Sequence, residues 1–136
     1  ITIGVDDYDE KFLLKVSEIS GVMSWLGRTP NGFDYKLSEG GKELSGGQRQ
    51  TIAIARALIR KPHYIILDEP TANMDTATEQ LVLKNLADYF EDETLLIVTH
   101  RMAPLSLVSR IVVLDNGRVN VDGPKEKILE RLKGAA

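Results

Sequence analysis

The run Tyr64-Ile65-Ile66-Leu67-Asp68-Glu69-Pro70 puts two adjacent carboxylates behind four apolar residues. Where a buried strand emerges from an α/β sheet, ligands bind beyond its carboxyl end. One carboxylate there can hold a hydrated Mg2+, and its neighbour, aimed elsewhere along the strand, can orient and deprotonate a water. Taken alone, such a run is more often a strand ending in solvated charge. Leu95-Leu96-Ile97-Val98-Thr99-His100 repeats the arrangement. If the two strands are neighbours, His100 and Glu69 share one rim, and a neutral imidazole there can hydrogen-bond a phosphate oxygen and an attacking water. A surface or capping histidine is the ordinary alternative for His100, and His63, which lacks this setting, reads as structural.

Leu44-Ser45-Gly46-Gly47-Gln48 is the most specific element. Ser45 suits a helix N-cap. Two glycines behind it leave the first-turn amides unobstructed, and a helix start attracts anions because amides and dipole both point outward. Glycine at a helix start costs about 1 kcal/mol per residue relative to alanine, so a purely structural role is poorly motivated and a phosphate-binding edge is favoured. No Gly-x-x-x-x-Gly-Lys-Ser/Thr occurs in the 136 residues. The chain thus has the water-activating half of a phosphoryl-transfer site without the loop that cradles the phosphates.

The elements that must position these residues follow from pattern. Asp6 to Glu10 lead into a helix with Phe12, Leu13, Val16 and Ile19 on one face, ended by Gly21. Residues 27–43, rich in glycine and charge, read as irregular. A second helix runs from Ser45 to about Arg60, stopped by Lys61-Pro62. Short β-rich runs at Tyr64–Leu67 and Leu95–Val98 flank a helix over 76–90, and a short helical segment lies near Pro104 to Val108. Asn116-Gly117 marks a hairpin between Ile111–Leu114 and Arg118–Val121, and Pro124 is expected to open a last helix to about Lys133. Apolar strands alternating with helices predict a parallel sheet covered on both faces. Residues 1–60 read as a helical subdomain and 61–136 as part of an α/β core.

Composition narrows the field. Net charge is −3, which leaves no basic footprint for nucleic acid, and the chain has no cysteine and only two histidines, which removes disulfides, thiolate sites and multi-histidine zinc. The longest aliphatic or aromatic runs span four residues, whereas a membrane crossing takes about twenty.

In order and spacing these motifs resemble the nucleotide-binding domain of ATP-binding cassette (ABC) proteins. Leu44–Gln48 matches the ABC signature, Tyr64–Glu69 the Walker B strand, and His100 the switch histidine. Thr71-Ala72-Asn73-Met74-Asp75 resembles the D-loop, with Asn73 and Met74 where alanine and leucine are commonest. Pro30–Asp34, Thr99–Met102, Leu114–Arg118 and Asp122–Lys125 are similar to exporters, most of all to the permease/ATPases of type I secretion. The resemblance implies a P-loop NTPase-like α/β fold lacking its P-loop strand, with a mostly parallel sheet and a small helical subdomain. It implies Glu69 as catalytic base, His100 as sensor of the γ-phosphate and Asp68 as the ligand of Mg2+ through water. Ser45, Gly46, Gly47 and Gln48 would contact ATP held by the opposite subunit, and Asp75 would organise the interface of a head-to-tail dimer.

The implied partners are a second nucleotide-binding domain, the transmembrane domain of a parent exporter and envelope secretion proteins, with no nucleic acid. The implied place is the cytoplasmic face of a bacterial inner membrane. P-loop, adenine-stacking aromatic and Q-loop would all precede Ile1, so the chain is expected to be a piece of a longer polypeptide, inactive alone, with apolar sheet left uncovered. An alternative is a non-catalytic module that lends its signature edge to a complete cassette. A chromosome-maintenance ATPase ranks lower, since no sustained heptads precede Ser45.

Overall fold

A computed structural model describes residues 1–5, 7–90 and 93–134. Of the acidic lead-in, Asp6 lies outside the described residues. Helix α1 (Glu10–Ile19) starts where the Asp9 carboxylate accepts from the Lys11 amide at 3.0 Å. It ends at Ser20, and Gly21 turns the chain at φ 82°. The short α2 (Met23–Leu26) is tied to the next helix by the Trp25 indole N–H, which donates to Thr51 Oγ1 at 3.0 Å. The glycine-rich stretch is irregular as read: it holds two single 3-10 turns, Gly32–Asp34 and Glu39–Gly41.

Helix α3 (Gly46–Leu58) ends two residues before the expected stop, and Lys61 takes up the reversal at φ 48° ahead of Pro62. Strand β1 (Tyr64–Asp68) leads into α4 (Thr76–Tyr89), and β2 (Thr94–Val98) pairs with β1 in parallel, Ile66 opposite Leu96 and Asp68 opposite Val98. The segment after β2 is a 3-10 helix, Ala103–Leu107, packed on α4. Strands β3 (Arg110–Asp115) and β4 (Arg118–Pro124) form the antiparallel hairpin that Asn116-Gly117 announces, with both turn residues at positive φ. Helix α5 (Lys125–Gly134) begins one residue later than expected. Pro124 is the last rung of β4 opposite Arg110, where a residue without an N–H is tolerated at a strand end, and the Lys125 amide donates to Ser109 O.

The main core joins α1, α3, β1 and α4. Val16 and Ile19 of α1, Ile54 and Leu58 of α3, Ile65 and Leu67 of β1, and Val82 and Leu86 of α4 pack together. Each fully buried aliphatic side chain in it contributes about 1.5–3 kcal/mol. The helical first sixty residues and β1 therefore share their apolar contacts. The sheet departs from the expectation of two covered faces. Alternate residues point to opposite sides of a strand, so Ile65 and Leu67 enter the core while Ile66 and Leu96 on the other side remain 71% and 55% exposed. Only one face finds helices among the described residues, and the second sheet, β3–β4, stands apart. The outcome matches the expectation of uncovered apolar sheet.

Gly21 is held by two constraints at once: its φ of 82°, and Val82 Cγ2, which would lie 2.8 Å from an added Cβ. Gly21→Ala is expected to destabilise the chain by about 2 kcal/mol, measured by urea unfolding. A change within the error of the wild type would contradict this packing of α1 on α4.

Candidate functional site

Parallel pairing of β1 with β2 brings Glu69 and His100 together. The Glu69 amide extends the ladder by donating to Val98 O at 2.9 Å, and the backbone then turns left-handed at φ 45°. A residue with a Cβ rarely adopts this conformation. It swings the carboxylate to the start of the loop after β2. Glu69 Oε1 accepts from the His100 amide at 3.0 Å and lies 2.7 Å from His100 Nδ1, while the Thr99 hydroxyl donates to Oε2 at 3.3 Å. The side-chain hydrogen bond from His100, assisted by its backbone N–H, its charge and Thr99, holds the Glu69 carboxyl below the usual range against a smaller opposing effect of burial. Glu69 is therefore ionised at neutral pH, as a proton acceptor must be. His100 itself is largely exposed.

Asp68 ends the bare face of β1, beside Val98, and its carboxylate has no partner among the described residues. No three acidic or histidine side chains among those residues converge on one point. A single free carboxylate of this kind fits a hydrated Mg2+, which keeps most of its waters and is bound by one or two carboxylates plus substrate phosphates.

Ser45 and Gln48 form a capping box at the start of α3. Ser45 Oγ accepts from the Gln48 amide at 3.1 Å, and Gln48 Oε1 accepts from the Ser45 amide at 2.8 Å. The amides of Gly46 and Gly47 donate to no group among the described residues. The glycine pair also has a packing reason that the sequence did not reveal. A Cβ on Gly46 would sit 2.9 Å from Asn73 Cβ, and one on Gly47 would sit 2.9 Å from the Asn73 carbonyl oxygen. Asp75 caps α4: its carboxylate accepts from the Thr78 amide and hydroxyl, and these bonds, the hydroxyl's first, lower its pKa.

Four residues of the site were given no individual role from sequence, although Thr71 and Arg101 lie within the D-loop-like and exporter-like runs. Gln50 bridges α3 to the 69–73 turn. Thr71, Glu79 and Arg101 form a partly buried polar cluster: the Thr71 hydroxyl donates to Glu79 Oε1 at 2.6 Å, Arg101 Nη2 to Glu79 Oε2 at 2.9 Å, and Arg101 Nη1 to Thr71 O. The Arg101 amide also donates to the Thr99 hydroxyl at 3.0 Å, so this cluster braces the loop that carries His100. Ser-x-x-Gln ahead of an apolar periodicity was a legible capping-box signal for Gln48. No local pattern marks the contacts of Gln50 or Arg101.

The family profile described as ABC transporter matches residues 8–72. An ATP-dependent lipid A-core flippase of Desulfotalea psychrophila is 38% identical over 130 residues, 96% of this chain and 23% of that protein. The cyclolysin secretion/processing ATP-binding protein CyaB of Bordetella pertussis is 38% identical over 117 residues, 86% of this chain and 16% of its own length. A solved structure of a bacterial Atm1-family ABC exporter with ATP bound superposes with a TM-score of 0.88 at 29% identity, over 99% of this chain and 25% of that one. The chain thus spans a quarter or less of the relatives it matches.

Two outcomes follow. Protonation of Glu69 should have a midpoint below the ordinary glutamate value of about 4.3. Because its pKa is lowered in the folded state, the pairing with His100 contributes stability above that ordinary value and loses it as pH falls through the lowered one. Carboxyl-carbon NMR reads this: His100→Ala should return the midpoint towards 4.3, and an unmoved midpoint would contradict the contact. Glu79→Ala should cost about 2–3 kcal/mol in urea unfolding by leaving Arg101 and the Thr71 hydroxyl without their partner. A cost below about 0.5 kcal/mol would remove the cluster as a brace.

Proposed function

The chain belongs to the ABC transporter family, and we propose that it acts as the C-terminal portion of the ATP-binding and ATP-hydrolysing domain of an exporter whose remaining length is borne by a longer parent. The observation that carries the reading is the meeting of Glu69 and His100 beyond the carboxyl ends of two parallel strands, with ionised Glu69 2.7 Å from the ring. In this reading Glu69 accepts the proton of a water that attacks the γ-phosphate of ATP. His100, which occupies that carboxylate in the present structure, exchanges it for a γ-phosphate oxygen when ATP is bound. Asp68 would hold Mg2+ through water, and the ion would neutralise charge on the phosphates.

The start of α3 acts on a different nucleotide. Its free Gly46 and Gly47 amides, with the Ser45 hydroxyl and the Gln48 side chain beside them, present an anion-binding edge suited to ATP held by a second subunit. Asp75 then lies at the junction of the two subunits in a head-to-tail dimer. The bare faces of β1 and β2 support a further part of this reading: the strand and loop that cradle the phosphates come from the parent, and their packing covers Ile66 and Leu96. The isolated 136 residues therefore do not turn over ATP. We assign the parent to polypeptide export of the type I secretion kind, at the cytoplasmic face of a bacterial inner membrane with its own transmembrane domain and envelope partners. Support comes from the likeness to CyaB and from the exporter-like wording at 30–34 and 99–102.

In the parent, Glu69→Gln should retain bound ATP while hydrolysis falls at least about a hundredfold, the usual worth of a general base. Steady-state phosphate release checks it, and unchanged turnover would take Glu69 out of the role.

A further inference from the structure

Gln50 lies one turn inside α3, and none of the motifs gives it work. Its amide joins two backbones: Nε2 donates to the Glu69 carbonyl at 2.9 Å and Oε1 accepts from the Asn73 amide at 2.9 Å. One side chain therefore closes the turn that contains the left-handed Glu69 peptide. On the neighbouring turn of the same helix, Gly46 and Gly47 lie so close to Asn73 that neither leaves room for a Cβ. Residues 69–73 consequently ride on the first two turns of α3. Among the described residues, the polar tie that reaches from α3 to the peptide of Glu69 itself is Gln50.

We propose that Gln50 is a positioning residue for Glu69, holding its left-handed peptide in register with the phosphate-binding start of α3, so that movement of that helix start is passed to the carboxylate. The proposal rests on the ATPase reading given above. The chemistry selects an amide. A single group must donate to a carbonyl and accept from an N–H at once, which carboxylate, ammonium and aliphatic side chains cannot do. Gln50→Glu keeps the shape and the acceptor but turns a second acceptor towards the Glu69 carbonyl. Gln50→Leu removes both bonds at similar volume. In either variant the bond from α3 to the Glu69 carbonyl is gone, and Glu69 can relax towards extended backbone, which carries its carboxylate away from the loop of His100.

The test uses the exporter that carries these residues, with wild type, Glu69→Gln, Gln50→Glu and Gln50→Leu compared per folded molecule. Both Gln50 variants should lose about tenfold in kcat with KM for ATP within about twofold of wild type, the signature of an interaction that matters in the transition state. Amide hydrogen exchange at Asn73 should quicken in Gln50→Leu. If Glu69→Gln stops turnover while the Gln50 variants keep wild-type kcat, or change KM alone, the positioning role is overturned and the ATPase reading stands. If Glu69→Gln turns over like wild type, the ATPase reading fails and the positioning role falls with it. Unchanged Asn73 exchange in Gln50→Leu overturns the bridge whatever the activity.

Discussion

The left-handed peptide at Glu69 is the constraint on which the rest of the structure turns. A strand continuing in extended geometry would point the next side chain to one face of the sheet or the other. At φ 45° the chain breaks that alternation and sends the carboxylate sideways, across the end of β2, to His100 and Thr99. Such backbone strain persists only where the surroundings over-determine it, and here they do. The Glu69 amide is held by Val98, its carbonyl by Gln50 and its carboxylate by the residues after β2. Asp68, one residue earlier and still within the strand, stays on the bare face with no partner among the described residues. Two adjacent acids thereby receive different surroundings, and this difference suits them to different tasks.

The same turn accounts for the glycine pair in α3. Helix starts tolerate many residues, and glycine is among the costlier choices within the first turn. The close approach of Asn73 supplies the compensation, since it lets the 69–74 loop and the helix start pack without an intervening side chain. Packing and anion binding are compatible uses of one feature: bare amides and a bare Cα face arise together. On the far side, Arg101 links Thr71 and Glu79 to the loop of His100, so the turn is braced from α3, from α4 and from the loop after β2.

Much of this was legible in the residues because it is local. Four-residue apolar runs placed β1 and β2, Asn116-Gly117 placed the hairpin, and Ser45 and Gly21 marked a helix start and a helix end. What escaped was of two kinds. Boundary details depend on single hydrogen bonds, such as the Lys125 amide donating to Ser109 O, which keeps Pro124 in β4. The bracing contacts join residues 19 to 30 positions apart, Gln50 with Glu69, Arg101 with Glu79 and Thr71. Helical or strand periodicity carries no information about which polar side chains meet across such distances. The apolar runs also speak to coverage. They report that both faces of a strand are suited to burial, and among the described residues one face finds helices, leaving Ile66 and Leu96 open.

The most direct measurement is the backbone conformation of Glu69 itself, from scalar couplings and the intraresidue amide–α Overhauser effect in the complete ATP-binding domain. A positive φ is expected at Glu69, as in the present structure, with the strong Overhauser effect of a left-handed residue. An extended value there, with Glu69 continuing the alternation of β1, would contradict it.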